Sequence, residues 1–143
     1  MTYGITWIPY GRITYVMPQL LEYLKKSEFY TNGRSDIDDI VKNLYSGQDL
    51  LWAVFEETTE KVVGFVITEI KQYPQRKMLF WKYTAGDVGI LDDVEELVHS
   101  TIERFAKDTK CDGMEAIGRA GWKPQAKKFG YTPYMIMYEK FFD

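Results

Sequence analysis

A glycine-bearing turn, an arginine beside a tryptophan and a single histidine are the features of this chain best suited to chemistry. The turn runs Thr84-Ala85-Gly86-Asp87-Val88-Gly89 and leads into a long amphipathic stretch from Leu91 to Lys107. Between a strand and a helix, such a turn can present backbone N–H groups to an anion. Asp87, Asp92, Asp93, Glu95 and Glu96 crowd the same helix start. They favour the helix dipole there and also oppose a bound anion, since two like charges ~4 Å apart near a surface repel by about 4 kcal/mol. Arg119 ends a short strand-like run just ahead of Gly121-Trp122. Sheets of mixed α/β proteins hold ligands at such strand ends, where a guanidinium can take a phosphate, a carboxylate or a partner's acid, or pair with nearby acids. Trp122 can equally wedge into the core.

His99, the only histidine, lies between Val98 and Ser100 within the long amphipathic stretch. It is expected to be structural or solvent-facing, because a lone histidine builds no metal site with these carboxylates at a recognised spacing. No metal is expected. Ser-His-Asp catalysis lacks its Gly-x-Ser-x-Gly elbow. Cys111 is the one cysteine, which excludes an internal disulfide and a cysteine zinc cluster and suggests a small buried filler.

The 143 residues suit one domain, 1–143, with a genuine core. A net charge of −3 leaves no basic footprint for nucleic acid. Lys123, Lys127 and Lys128 read as a solvated helix face. No apolar run approaches the ~20 residues that cross a bilayer, and the start of the chain lacks a signal peptide's pattern. A cytoplasmic protein is the expectation.

The elements that would position these residues follow from periodicity. Tyr3 to Pro9 alternates as a strand. Ile13 to Lys26 places Ile13, Val16, Met17, Leu20, Leu21 and Leu24 on one helical face, with Pro18 either in the first turn or kinking the helix. Tyr30 to Arg34 is a loop, and Ser35 is expected to cap a second helix whose stripe is Ile37, Ile40, Val41 and Leu44. Leu50–Phe55, Val62–Ile70 and Lys77–Tyr83 read as three antiparallel strands joined by polar turns. Gly64 marks a bulge or a close backbone approach. A helix from Leu91 to Lys107, a strand Met114–Ile117, a short helix Trp122–Phe129 and a strand Tyr134–Phe142 complete the order. The helix between the Lys77 and Met114 strands implies that these two run parallel. The predicted core is Leu20, Leu24, Ile40, Leu44, Val54, Val63, Phe65, Leu79, Leu97, Ile102 and Phe105.

This order over nearly the whole chain resembles the GNAT N-acetyltransferase superfamily. The resemblance implies a mixed α/β fold, with a central sheet of six to seven strands flanked by about four helices. It implies that acetyl-CoA lies where the fourth and fifth strands splay, its pyrophosphate on a loop Arg/Gln-x-x-Gly-x-Gly/Ala. Placed on that loop, Gly86 matches the first glycine, while Tyr83 stands at Arg/Gln and Val88 at the second Gly/Ala. Thr84, Ala85, Gly86, Asp87, Val88, Gly89 and Arg119 are thus the cofactor-binding candidates. The family's thiolate-protonating tyrosine falls on Ala126, leaving Tyr131 and Tyr134 as substitutes. No Glu occupies the Lys77–Tyr83 strand, and Glu69 is the nearest candidate base.

More narrowly, Leu51-Trp52, Gly118-Arg119-Ala120-Gly121-Trp122 and Phe129-Gly130-Tyr131 resemble GNAT-like proteins of bacteriophages. Two readings follow. One is an acyl-CoA-dependent N-acetyltransferase with a degenerate cofactor loop, acting on a small-molecule amine or a protein acceptor. The other is an inactive GNAT-like protein that binds a host or virion protein as an accessory.

Overall fold

Seven consecutive residues, Val62 to Thr68, are buried. A strand apolar on both faces must be covered on both, and this one, β3 (Val62–Gln72), lies at the middle of the sheet. The computed structural model describes residues 2–87 and 89–142, apart from the side chains of Leu91, Asp92 and Asp93. The other strands are β1 (Tyr3–Ile8), β2 (Leu50–Glu56), β4 (Lys77–Gly86) and β5 (Gly113–Ala116). The helices are α1 (Ile13–Tyr30), α2 (Ile37–Ser46), α3 (Ile90–Asp108) and α4 (Lys123–Lys128). Sheet order follows chain order, with β1 to β4 antiparallel and β5 parallel to β4 after the crossover through α3.

α1 and α2 cover one face. Leu20, Leu24, Ile40 and Leu44 pack there on Leu51, Phe65 and Ile67. α3 covers the other, where Val94, Val98 and Ile102 meet Trp52, Val54, Val66 and Leu79. Trp52 also donates its indole N–H to the Thr68 hydroxyl at 3.0 Å, so the polar tip of a buried ring is satisfied. At Gly64 a Cβ would stand 2.9 Å from the Ala85 carbonyl oxygen and 3.1 Å from the Gly86 Cα. Gly64 is thus a close backbone approach, and it lets β4 lie tight against β3.

Several expectations need correction. Five strands form among the described residues, against the six to seven expected, because Tyr134–Phe142 is not paired into the sheet. Its β-branched and aromatic composition is a preference that a partner strand must realise. Asp36, and not Ser35, caps α2: its carboxylate accepts from the Asp39 N–H at 2.9 Å while Asp39 returns a bond to the Asp36 N–H. Pro18 sits in the second turn of α1, which starts at Ile13. It removes one helical donor, and the burial of Leu20, Tyr23 and Leu24 on that helix outweighs the loss. Leu97 is 40% exposed, since the buried stripe of α3 runs through Val94, Val98, Ile102 and Ala106 and leaves Leu97 at its margin.

The corrected face of α3 has a measurable consequence. Ile102→Ala should cost about 2–5 kcal/mol of unfolding free energy, and Leu97→Ala less than about 0.5 kcal/mol. Urea unfolding of both variants checks this, and equal costs would show the stripe to be misplaced.

Candidate functional site

Ile67 stands opposite Tyr83 and Thr68 opposite Trp81, so Lys82 is an extra residue in β4. Such a bulge bends its strand and shifts the alternation of side chains. Trp81 accordingly packs on the α3 face and Tyr83 on the α1/α2 face, although residues two apart normally share a face. Beyond the bulge β4 and β5 part. Their pairing covers only Met78–Trp81 against Gly113–Ala116. Lys82 to Gly86 keep β3 on one side and have no paired strand on the other. This open edge leads through Asp87 and Gly89 to the start of α3.

An aromatic cluster closes the base of that opening on the α3 face. His99 is 7% exposed. Its ring stacks between Trp81, with centroids 5.7 Å apart, and Phe129, at 4.3 Å. Its Nε2 lies 3.0 Å from the Tyr131 hydroxyl, which also lies 4.0 Å from the Met114 sulfur. Trp122 rests against Gly118 and Tyr131. Burial lowers the His99 pKa, with Glu103 opposing, so the imidazole is neutral at pH 7. Burial, with Glu103 adding to it, pushes the Tyr131 phenol up to about 12. The phenol therefore keeps its proton throughout the physiological range.

On the α1/α2 face the bulged Lys82 reaches two carboxylates. Its ammonium lies 3.1 Å from both oxygens of Asp49 and 3.2 Å from Glu69. The Asp49 side chain is fully buried, with Lys82 and Glu69 nearly so. For Lys82 burial acts downward, but the bonds from Asp49 and Glu69 prevail and raise its pKa. For Asp49 burial acts upward and prevails over Lys82. Two carboxylates and one ammonium leave this cluster formally at −1.

The other candidates are dispersed. Gly86 pairs with Gly64 at the end of β4. Thr84 accepts a hydrogen bond from the Trp81 indole, and Ala85 is buried. The Asp87 carboxylate accepts the Tyr23 hydroxyl at 2.6 Å, and burial, with Asp87 adding to it, raises that phenol to about 12. Gly89 takes φ +82° as it enters α3, a conformation that glycine adopts without strain. Val88 and the Asp92 side chain lie outside the described residues. Arg119 stacks over the Tyr30 ring at 4.3 Å. Tyr134 is 87% exposed, and Glu69 lies on the face opposite Tyr131.

No protein-family profile and no curated sequence matches this chain. Solved structures do. Glucosamine-6-phosphate N-acetyltransferase of Arabidopsis thaliana aligns over 100% of both chains with TM-score 0.68 and 17% identity. An aminoglycoside acetyltransferase from an uncultured soil metagenomic sample aligns over 100% of both with TM-score 0.74 and 13% identity. AAC(6')-Iy, in complex with the bisubstrate analogue CoA-S-monomethyl-acetylneamine, aligns over 98% of this chain and 99% of its own, with TM-score 0.69 and 12% identity. The fold is the GNAT acetyltransferase fold. Within it, the bulge at Lys82 and the parting of β4 from β5 are the features that could admit a ligand.

Sequence reading missed the Asp49–Lys82–Glu69 cluster and the His99 stack. No periodicity shows which residue of β4 is the extra one, and the cluster joins β3, β4 and the bend before β2. His99 did carry a signal, since it falls one position after Val98 on the buried stripe.

The His99 assignment makes stability depend on pH. Its folded pKa lies below the ordinary 6.5, so the unfolded chain binds the proton more readily. The stability that it contributes is full above about pH 6.5 and is lost as pH falls toward the folded pKa. His99→Gln should therefore show a smaller loss of unfolding free energy between pH 7.5 and pH 5 than the parent. Parallel urea titrations check this, and identical slopes would contradict a neutral buried imidazole.

Proposed function

We propose that this chain is an acyl-CoA-dependent N-acetyltransferase, with acetyl-CoA as donor and a small-molecule amine or a protein amine as acceptor. The observation that carries the reading is the open edge of β4 from Lys82 to Gly86, running beside the departed β5 to the N-terminus of α3. An amide-bearing chain such as pantetheine can pair with an open strand edge as another strand would. The start of α3 then suits a pyrophosphate, with Thr84, Ala85, Gly86, Asp87, Val88 and Gly89 as the loop. Arg119 is the candidate for a further phosphate contact. Tyr83 and Val88 at two loop positions, and the acids at the helix start, favour weak binding.

In the reaction an acceptor nitrogen, freed of its proton, attacks the thioester carbonyl carbon. The tetrahedral adduct collapses, the C–S bond breaks, and the nitrogen's second proton leaves to solvent, from which the acid that protonates the thiolate is restored. Tyr131 is the candidate that delivers a proton to the departing thiolate, with His99 holding its hydroxyl. Glu69, in a cluster of formal charge −1 with Asp49 and Lys82, is the candidate that draws in the ammonium and takes its proton. Tyr134 is a less suitable acid because its exposure leaves its orientation open.

The second reading, an inactive GNAT-like accessory that binds a host or virion protein, is favoured by Ala126 in α4, where the resemblance expects the acid. The narrower likeness to phage-encoded proteins rests on Leu51-Trp52 and the Gly118–Tyr131 stretch alone.

Thermal unfolding with acetyl-CoA, followed by thiol release over a panel of amines, tests the enzyme reading. Ligand at about 100 times its Kd should add about 2.7 kcal/mol of stability. Tyr131→Phe should lower kcat by about 10²-fold or more while leaving acetyl-CoA affinity unchanged. The absence of any stabilisation at millimolar acetyl-CoA would overturn the enzyme reading and leave the binding protein.

A further inference from the structure

Burying three ionisable groups together is a poor way to join a sheet to its helices, since apolar residues of the same volume often do so as well or better. The Asp49–Lys82–Glu69 cluster therefore calls for a use beyond stability. A lysine ammonium has three donors and no acceptor. Lys82 directs its ammonium at both Asp49 oxygens, at 3.1 Å each, and Glu69 Oε1 at 3.2 Å is the third partner. It has no donor left for a carboxylate or phosphate on a ligand.

The two acids are not equivalent. The Asp49 side chain is 0% exposed and commits both oxygens to Lys82. Its backbone is pinned as well: the N–H donates to the Asn43 carbonyl at 3.0 Å, after Gly47, at φ +83°, has turned the chain out of α2. Glu69 is 17% exposed and meets Lys82 through one oxygen, and its other oxygen makes no hydrogen bond among the described residues. The neighbours leave this balance alone. Lys71, next on the same face of β3, turns its ammonium over the Phe80 ring at 4.3 Å. Tyr83, whose phenol is pushed up by burial, is uncharged at neutral pH. Asp49 and Lys82 therefore cancel, and the unbalanced charge stays on Glu69, the acid that solvent can reach.

We propose that Asp49 is a positioning residue for the acceptor, an inference that rests on the acetyltransferase reading above. Being fully buried, it touches no substrate and acts through Lys82. By occupying that ammonium it keeps the charge of Glu69 available, so the site takes a primary amine as its ammonium in preference to a neutral or anionic molecule of the same skeleton. Without the Asp49 charge, Lys82 and Glu69 would cancel each other and leave nothing for an arriving cation.

The test compares primary amines with alcohols of the same carbon skeleton: n-butylamine with n-butanol, and benzylamine with benzyl alcohol. At about pH 7.5 these amines are ammoniums. Ligand-observed NMR titration of the CoA-loaded full chain gives each Kd without need of turnover. The parent should bind at least one amine about tenfold or more tighter than its alcohol. Asp49→Asn should erase that preference and leave the alcohol's Kd and the acetyl-CoA thermal shift unchanged, whereas a structural fault would weaken amine and alcohol alike. Asp49→Asn combined with Lys82→Met returns the formal charge to that of Glu69 alone and should restore the preference. The double variant also carries the test if the single one fails to fold. A parent without the preference, an Asp49→Asn chain that keeps it, or equal weakening of amine and alcohol would overturn the inference and leave the enzyme reading standing. Failure of the enzyme reading shows separately, as a parent that acetyl-CoA does not stabilise. The same titrations on the free chain then decide whether Asp49 sets the preference.

Discussion

Lys82 brings its ammonium into a face of the sheet where Asp49 is fully buried and Glu69 nearly so. An uncompensated carboxylate there would be costly, and removing one partner of a buried pair typically costs about 3–5 kcal/mol. The pairing thus fixes which way the extra residue of β4 points. With Lys82 committed to the α1/α2 face, Trp81 turns to the α3 face and stacks on His99. β4 leaves its parallel partner after Trp81 and Ala116. The open strand edge beyond it and the placing of Trp81 against His99 follow from this one irregularity.

The two faces at the bulge differ in character. One carries carboxylates and an ammonium at formal charge −1. The other carries stacked rings, a neutral imidazole and a phenol that keeps its proton. An amine acceptor asks for negative charge where an ammonium arrives, which is the character of the first of these faces. The bulge in β4 is where these two faces meet.

The sequence made much of the fold legible. Helical spacing set out α1, α2 and α3, polar turns separated β2 to β4, and the helix between β4 and β5 required those strands to be parallel. Failures came where a partner decides the outcome. Leu97 has a core residue's type but sits at the stripe's margin. Tyr134–Phe142 has a strand's composition without a neighbour in its own sheet. The site was less legible than the fold because it is made of long-range meetings: His99 with Tyr131, 32 residues apart, and Lys82 with Asp49, 33 apart. Spacing along the chain could have suggested neither. Glu69 and Tyr131 were named as candidates from the sequence, while the residues that hold them, Lys82 and His99, were not given those roles.

Amide hydrogen exchange with and without acetyl-CoA tests the central claim most directly, since it reads the strand edge itself and does not depend on turnover. If the open edge of β4 receives the donor as a strand, exchange should slow at amides within Lys82–Gly86 and at the start of α3, with β1 and β2 unchanged. Slowing confined to other elements, or none at acetyl-CoA concentrations that saturate a thermal shift, would contradict the account.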